Sequence, residues 1–316
     1  MITIRRYDPA TDREVWDAFV ADSRNATFLF YRAYMDYHSD RFDDYSLMAY
    51  DGHGRLLALL PACRSGSTLY SHQGLTFGGW LLPHRRCDAL DMLAIFDALP
   101  HAMREVGVRR LIYKAIPYIY FRQPAQEDIY AMVRKGGCIS ASLVSSVIDL
   151  SDPVPFDMGS RQRARKALAS GIVIGESDRW EEYWTILTNL LRERFDAAPV
   201  HSLEEILLLR SRFPENIRLV TATDPDSGEI LAGIVLYVND TAIHSQYTAA
   251  TQRGKNMAAV PAIYQNIIDT YRGKARWLDL GTSNENGGRD VNAGLLRQKC
   301  SYGARAVAYL TFTIDF

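Results

Sequence analysis

The two halves of this 316-residue sequence present the same order of predicted secondary structure. The order is clearest in the second half, where residues 171–178 contain a short apolar run, a pattern typical of a β-strand. Residues 179–195 and 202–213 instead carry Leu, Ile and Trp at helical spacing. The later predicted elements are strands 217–223, 230–239 and 241–251, helix 258–271, strand 275–280, helix 292–300 and strand 304–316.

The first half repeats this order of a strand, two helices, three strands, a helix, a strand, a helix and a strand. Its predicted elements are strand 2–7, helices 11–22 and 31–37, strands 46–50, 55–63 and 68–77, helix 87–106, strand 109–115, helix 126–135 and strand 140–150. We therefore predict an α/β (α+β) chain of two domains, 1–150 and 151–316, each a mixed central sheet flanked by helices. Pro153 and Pro155 stiffen the junction, so we expect the domains to pack together with the main cleft between them.

Three stretches of the sequence resemble motifs of a known family. Residues 160–172 read SRQRARKALASGI, a basic segment that runs into Ser-Gly at the domain junction. Residues 279–283 read DLGTS, and residues 295–303 read LLRQKCSYG, a helix that finishes in lysine, two residues and an aromatic-glycine pair. Residues 71–79 read SHQGLTFGG, a glycine-rich strand end. With the repeated element order, which is similar to that of the GNAT acyltransferase fold in tandem, these motifs resemble the FemABX superfamily over nearly the whole chain.

This resemblance implies an acyltransferase that moves an acyl group from acyl-CoA, such as acetyl-CoA, to an amine or hydroxyl. The acceptor would be a sugar, amino-sugar or cell-envelope precursor, as a small molecule or in lipid- or nucleotide-linked form. It also implies that Lys299 lies near the transferred acyl group and stabilises developing negative charge, and we expect this lysine to be partly exposed. Two alternatives stay open: an aminoacyl-tRNA donor, and a GNAT-derived binding module without catalysis.

The net charge, the cysteine pattern and the length of the apolar runs indicate which binding partners and which cellular compartment to expect. The formal net charge is −1, from 36 basic and 37 acidic residues, so the chain has no global field for nucleic acid. This disfavours tRNA and excludes DNA as predicted partners. The four cysteines are scattered without a CxxC pair, which argues against a zinc site or a disulfide framework and fits a reducing cytoplasm. No apolar run approaches the ~18 residues of a membrane helix, so we predict a cytoplasmic protein.

The segment 251–258 is the predicted donor-binding loop, because the resemblance puts the diphosphate of a CoA thioester at the start of the helix that follows. Free backbone N–H groups and the helix dipole favour phosphate at such a position. The predicted donor-binding residues are Gln252, Arg253, Gly254, Lys255 and Asn256. The alternative is an ordinary basic loop that caps a helix. The corresponding segment 77–86 of the first half is predicted to be a turn.

Acyl transfer needs a proton acceptor, and His244 is the predicted candidate in the second half. It shares one face of its strand with Gln246 and Thr248 by alternation, and that face could contact substrate. His72 holds nearly the same place in the first half, and we predict that His72 and Gln246 contact the substrate. A strand histidine with a purely structural hydrogen bond is the alternative in both places. Asp279 ends a strand before the polar, glycine-rich segment 281–288, in which Asn284 is a predicted substrate contact; Asp279 could instead cap the turn.

The basic segment and one acidic cluster complete the candidate sites. Arg161 and Arg165 are four residues apart on one predicted helix, with Lys166 beside them, so we predict that they bind a diphosphate together with Arg253 and Lys255. The alternative is a solvated charged face. Five residues look superficially like metal ligands but lack a recurring ligand spacing, and we predict no metal there. They are Asp36, His38, Asp40, Asp43 and Asp44.

Overall fold

The computed structural model describes residues 1–316, apart from the side chain of Phe195, as two compact units. Unit 1 comprises Met1–Leu143 and Ala308–Phe316, and unit 2 comprises Val144–Val307. The sequence placed the boundary at residue 150. The structure instead assigns the last nine residues to unit 1 and residues 144–150 to unit 2.

Unit 1 contains short strands and four α-helices. They are β1 (Thr3–Arg6), α1 (Arg13–Asp22), α2 (Arg32–Met35), β2 (Asp43–Asp44), β3 (Leu47–Tyr50), β4 (Leu56–Leu60), β5 (Cys63–Ser65), β6 (Thr68–Tyr70), α3 (Ala89–Glu105), β7 (Arg110–Lys114) and α4 (Glu127–Arg134). One antiparallel sheet has the order β1-β3-β4. In a second sheet β2, β5 and β6 are antiparallel and β6 is parallel to β7.

Unit 2 contains a mixed sheet with helices. Its elements, of which the first and the last extend into unit 1, are β8 (Cys138–Asp149), α5 (Met158–Ala169), β9 (Val173–Glu176), α6 (Trp180–Phe195), α7 (Leu203–Arg212), β10 (Ile217–Thr223), β11 (Ile230–Val238), β12 (Ala242–Ala250), α8 (Gln252–Asn256), α9 (Ala259–Tyr271), β13 (Trp277–Thr282), β14 (Asn284–Glu285), β15 (Asp290–Val291), α10 (Ala293–Ser301) and β16 (Arg305–Asp315). The strand order is β8-β13-β12-β11-β10-β9, and β12 and β13 form its one parallel pair among the described residues.

Two strands cross the boundary between the units along the chain. Strand β8 begins in unit 1 and ends in unit 2, where it pairs with β13. Strand β16 begins in unit 2 and ends in unit 1, where Thr311 to Asp315 pair with β7. The C-terminal residues therefore complete the sheet of the N-terminal unit.

Each unit has its own hydrophobic core. In unit 1, Met92, Ile95, Phe96 and Leu99 of α3 are buried, at the spacing that brings side chains to one helix face. In unit 2, the buried residues of α9 lie at the same kind of spacing. They include Ala259, Ala262, Ile263 and Ile267. Burial of each large aliphatic side chain contributes roughly 1.5–3 kcal/mol, so each unit holds its own helix on its own sheet.

Most element types match the sequence predictions, with three informative differences. The predicted strand 68–77 ends at Tyr70, because His72 has φ +62° and turns the chain out of the extended conformation. The predicted loop 251–258 contains the short helix α8. The predicted helix 31–37 is the single turn α2 followed by a 3₁₀ turn. Among the described residues no helix combines the length and apolarity needed to cross a membrane.

Candidate functional site

The two parallel strands of unit 2 separate at one point. Strands β12 and β13 are paired from Ala242 and Trp277 as far as His244 and Asp279, although β12 continues to Ala250 and β13 to Thr282. Past that pair, the main-chain N–H and C=O groups on the facing edges of β12 and β13 no longer pair with each other. His244 and Asp279 stand at the start of this divergence.

His244 and Asp279 form a hydrogen-bonded pair at this point. Nδ1 of His244 lies 2.8 Å from Oδ2 of Asp279, whose side chain is fully buried, and 13% of the histidine side chain is exposed. The other carboxylate oxygen accepts hydrogen bonds from Ser145 Oγ at 2.5 Å and from the Gly281 amide at 2.9 Å. A carboxylate on Nδ1 fixes the tautomer that leaves Nε2 as the proton acceptor, so the pair can act as a general base.

Lys299 lies beside this pair and is the buried residue of α10. Its Nζ donates to the carbonyl oxygens of Gly281 at 2.8 Å and Thr282 at 2.9 Å. Burial lowers the pKa of Lys299 to about 8, while the charge of Asp279 opposes that change. The expectation of a partly exposed lysine was wrong, because only 9% of the residue is accessible. A buried ammonium with three N–H donors can still offer a donor to substrate.

Gly281 separates the histidine from the lysine. Its φ of +78° suits glycine. A Cβ at this residue would lie 3.5 Å from His244 Cε1 and 3.9 Å from Lys299 Nζ. The absence of a side chain therefore keeps the space between the two candidate catalytic groups free.

A β-bulge in β12 changes which side chains share a face. Val235 pairs with Tyr247 and Leu236 with Ser245, so Gln246 is the extra residue. The hydroxyls of Ser245 and Thr248 lie 3.0 Å and 3.1 Å from the Tyr264 hydroxyl. Ser245 and Thr248 share that contact, so they lie on the same face of the strand. The prediction from strict alternation, which put Thr248 on the face of His244, was therefore wrong. The Oε1 atom of Gln246 is buried with no hydrogen-bond partner within the described part of the chain.

The predicted donor loop forms α8, and its side chains are partly engaged in local contacts. Arg253 donates to Asp224 at 2.5 Å and to Glu229 at 3.1 Å. Gln252 and Asn256 bond to each other at 3.1 Å, and Lys255 is exposed. Gly254 is required by packing, since a Cβ there would lie 1.9 Å from the carbonyl oxygen of Leu231. Donor binding by these five residues stays a prediction.

The other predicted substrate residues of unit 2 lie in two separate elements. Asn284 accepts a hydrogen bond from the Val144 amide at 2.8 Å and thereby ties the β14–β15 hairpin to β8. Arg161, Arg165 and Lys166 lie on the exposed face of α5, opposite Ser160, Ala164 and Ala167, which are buried. None of these three cations has an ion-pair partner among the residues that the structure describes.

His72 of unit 1 is buried and stacks on His38, with ring centroids 5.1 Å apart. Burial lowers the pKa of His72 to about 3, so the imidazole is neutral at ordinary pH. Ser71 and Gly78 bind the end of β7 from the same segment: Lys114 N donates to Ser71 Oγ at 2.7 Å, and Gly78 N donates to Lys114 O at 2.9 Å. In unit 1, residues 71–78 thus bond to β7 just past its parallel pairing with β6.

The acidic cluster near residue 40 neutralises a cation. Asp36 and Asp44 both bind Arg32, which is buried and lies over the Tyr7 ring. Across the described residues, no group of three or more His, Cys, Asp or Glu side chains is arranged to hold a metal ion.

Sequence reasoning missed three residues of the site in unit 2. Ser145 reaches Asp279 across a separation of 134 residues, which no local motif could indicate. Tyr264, whose hydroxyl contacts Ser245 and Thr248, was counted only as an apolar residue of the predicted helix 258–271. His201 places its Nδ1 2.6 Å from the Tyr247 hydroxyl, and so links the α6–α7 connection to the strand that carries His244. The aromatic and polar alternation around Tyr247 was the one available signal.

Comparison with known proteins bears on the fold. No family model and no curated protein sequence matches the chain. The structure is similar to that of FemX, with a TM-score of 0.72 and 11% identity over 99% of this chain and 97% of that chain. It is also similar to the C-terminal domain of a putative lysylphosphatidylglycerol synthetase from Agrobacterium fabrum, with a TM-score of 0.60 and 14% identity over 97% and 92%.

A third similar structure is a tandem GNAT protein from the clavulanic acid biosynthesis pathway, with a TM-score of 0.52 and 12% identity over 100% and 98%. At these identities the similarity is one of fold. The predicted α/β class, with GNAT-like sheets flanked by helices, and the FemABX-like resemblance are confirmed at that level.

Proposed function

We propose that this protein is an acyltransferase that takes an acyl group from acyl-CoA at unit 2 and passes it to an amine or hydroxyl. The observation that carries the proposal is the His244–Asp279 pair at the separation of β12 and β13, with Lys299 beside it. The main-chain groups of β12 beyond His244 can bind the amides of a pantetheine chain in the way a neighbouring strand would.

In this proposal His244 accepts the proton of the attacking amine or hydroxyl through Nε2. Asp279 holds the imidazole in the required orientation and stabilises the imidazolium that forms. Hydrogen bonds from His244, Ser145 and Gly281 hold the Asp279 carboxylate in place. Geometry of this kind is set before substrate binds, so no reorganisation is needed during the reaction.

Lys299 is proposed to stabilise the negative charge that develops on the carbonyl oxygen of the acyl group. Two of its N–H groups are directed at Gly281 and Thr282, and these bonds orient the third. With a pKa of about 8 the lysine is mainly protonated at neutral pH, and a partly desolvated charge acts more strongly than an exposed one. The same value would let it return a proton to the leaving thiolate.

Unit 1 is proposed to carry no acyl donor. Ser71 and Gly78 form hydrogen bonds with Lys114 on the edge of β7, so that edge is already occupied. The segment is also closely packed, since a Cβ at Gly78 would lie 2.1 Å from the Ser71 carbonyl oxygen. This packing supports one donor site per chain. Unit 1 then serves the architecture and the acceptor, for which His72 was the predicted contact.

The donor diphosphate is proposed to bind at α8 and on the exposed cations of α5. Lys255 and the main chain of α8 are better placed for this than Arg253, whose guanidinium is shared by two carboxylates. An aminoacyl-tRNA donor is the second candidate. Arg161, Arg165 and Lys166, which have no ion-pair partner among the described residues, favour it, and the net charge of −1 counts against it. The proposed acceptor is a sugar, amino-sugar or other cell-envelope precursor in a cytoplasmic reaction.

Thermal unfolding of the purified chain with a panel of acyl-CoA thioesters tests the donor class. A ligand that binds only the folded state stabilises it by about 2.7 kcal/mol at one hundred times its Kd. We expect one or more acyl-CoAs to raise the melting temperature and to release CoA slowly. Protection by aminoacyl-tRNA alone would select the second candidate. Protection by acyl-CoA without any transfer would indicate a binding module.

A further inference from the structure

Unit 1 contains a cavity of about 600 Å³ that the proposed reaction does not use. It is lined by the β3–β4 turn, the segment before α3 and the start of α4. A cavity of this size accommodates a small metabolite. Every residue that lines it belongs to unit 1, so the cavity is independent of His244, Asp279 and Lys299.

A buried arginine forms part of the cavity wall. Arg24 is 7% exposed and donates to the carbonyl oxygens of Pro83, Arg86 and Cys87 at 2.8–2.9 Å. Its Nη2 also lies 2.9 Å from Oε1 of Glu127. Its Nε atom is buried with no hydrogen-bond partner within the described structure. An orphaned N–H on a buried cation is costly and calls for an explanation.

The acidic residues of the cavity are already engaged. Asp51 binds Arg55 at 2.6 Å, and Asp88 accepts the Leu90 amide at 2.8 Å as the N-cap of α3. Asp91 completes that capping box, and Glu127 is paired with Arg24. Each carboxylate that lines the cavity therefore already has a hydrogen-bond or ion-pair partner within the protein.

Two cations of the rim are not balanced in this way. Arg85 and Arg86 are exposed, and neither has an ion-pair partner in the part of the chain that the structure describes. Helix α4 begins beside them, and its N-cap Gln126 makes no side-chain capping bond. The first turn of α4 carries two carboxylates, Glu127 and Asp128, and the Ile129 amide donates to Asp128 at 2.8 Å. The positive charge of the rim therefore comes from the two arginines and not from the start of the helix.

We propose that this cavity binds a small molecule through a phosphate or carboxylate group, held by Arg85 and Arg86. Arginine forks bind either group with two hydrogen bonds. The hydrogen bonds of Arg24 hold the main chain of residues 83–87 in place, and this segment carries Arg85 and Arg86.

Isothermal titration calorimetry of the full chain, with inorganic phosphate and with malonate at constant ionic strength, tests the proposal. We expect saturable one-site binding of one or both anions. The double substitution Arg85→Ser with Arg86→Ser should raise Kd at least tenfold. Because both side chains are exposed, the double variant should unfold at the wild-type temperature without ligand.

The control is Arg104→Ser with Arg134→Ser, which removes two exposed arginines of unit 1 outside the cavity. It should leave Kd unchanged. Saturation by phosphate alone identifies a phosphorylated ligand, and saturation by malonate alone identifies a carboxylate. Absence of saturable binding by both anions overturns the proposal, as does an equal loss of affinity in the control variant.

Discussion

His244 and Asp279 are separated by 35 residues, yet one hydrogen bond and one pair of parallel strands define what each can do. A histidine alone on a strand is most often structural. A buried carboxylate on Nδ1, itself bound by a hydroxyl and an amide, makes the opposite ring nitrogen a defined proton acceptor. The chemistry therefore resides in the arrangement and not in either residue type.

The substitution His244→Asn removes the proposed base and leaves a side chain that can still bond to Asp279. We expect the rate of acyl transfer to fall by roughly 10²–10⁴, the usual contribution of a general base, with little change in melting temperature. CoA release by wild type and variant measures the effect. His53→Asn, an exposed turn position in unit 1, is the matched control and should keep the wild-type rate. A His244→Asn protein with full activity would remove this histidine from the mechanism.

The lowered pKa of Lys299 predicts how the free energy of unfolding depends on pH. Its folded-state pKa of about 8 lies below the ordinary 10.5, so between these values the unfolded chain binds a proton that the folded chain does not. Stability must therefore rise with pH across this window. Relative to Lys299→Met, we expect the wild type to gain on the order of 3 kcal/mol from pH 8 to 10.5.

Urea unfolding of wild type and Lys299→Met at the two ends of this pH range measures the difference. Titration of the tyrosines is common to both proteins and cancels. Lys255→Met changes an exposed lysine and should show no such pH dependence. A flat difference for Lys299→Met would mean that the ammonium is not desolvated.

At the scale of elements, the site depends on where regular pairing stops. Strands β12 and β13 separate after His244 and Asp279, and the bulge at Gln246 redirects β12 immediately beyond that point. Helix α8 then closes over β11, where Gly254 meets the carbonyl of Leu231. One divergence, one bulge and one close contact together set the shape of the proposed donor site.

Helix α8 allows structural and ligand-binding roles to be separated. Gly254→Ala puts a Cβ 1.9 Å from a main-chain oxygen, so the helix must move, and we expect a loss of several °C in melting temperature. Lys255→Ala should keep the melting temperature and weaken acyl-CoA binding, increasingly so at low salt. Calorimetric unfolding and titration measure both. Equal acyl-CoA affinity in Lys255→Ala and wild type would exclude this lysine as a phosphate ligand.

How far the sequence predicts these elements depends on the range of the interactions that form them. The bounds of β10 coincide with the predicted strand 217–223, because local alternation and an adjacent turn define it. The end of β6 was missed, since the positive φ of His72 reflects the packing of residues 71–78 on β7. His244 and Asp279 were each predicted, but their contact was not, because a parallel register is not written in local spacing.

At the scale of the whole molecule, the chain is two units, and the N-terminal unit is completed by a strand from the far end of the sequence. Phe312 and Ile314 are buried in the core of unit 1 although they lie near the C-terminus. The repeated element order let the sequence predict two similar halves. It could not predict which half the last strand would join, since an alternating apolar strand fits either sheet.

The two units differ at the end of their parallel strand pair, which is where the proposed reaction takes place. In unit 2 the parallel strands separate beside a histidine, an aspartate and a lysine, whereas in unit 1 residues 71–78 bind the corresponding strand. The central claim is that acyl-CoA binds unit 2 at this separation.

Photo-crosslinking with an acyl-CoA that carries a photoreactive acyl chain, followed by peptide mass spectrometry, tests this claim most directly. We predict labels on β12, the start of α8 and residues 279–282, competed by unmodified acyl-CoA and retained in His244→Asn. Competed labels confined to residues 71–88 of unit 1 would contradict the account.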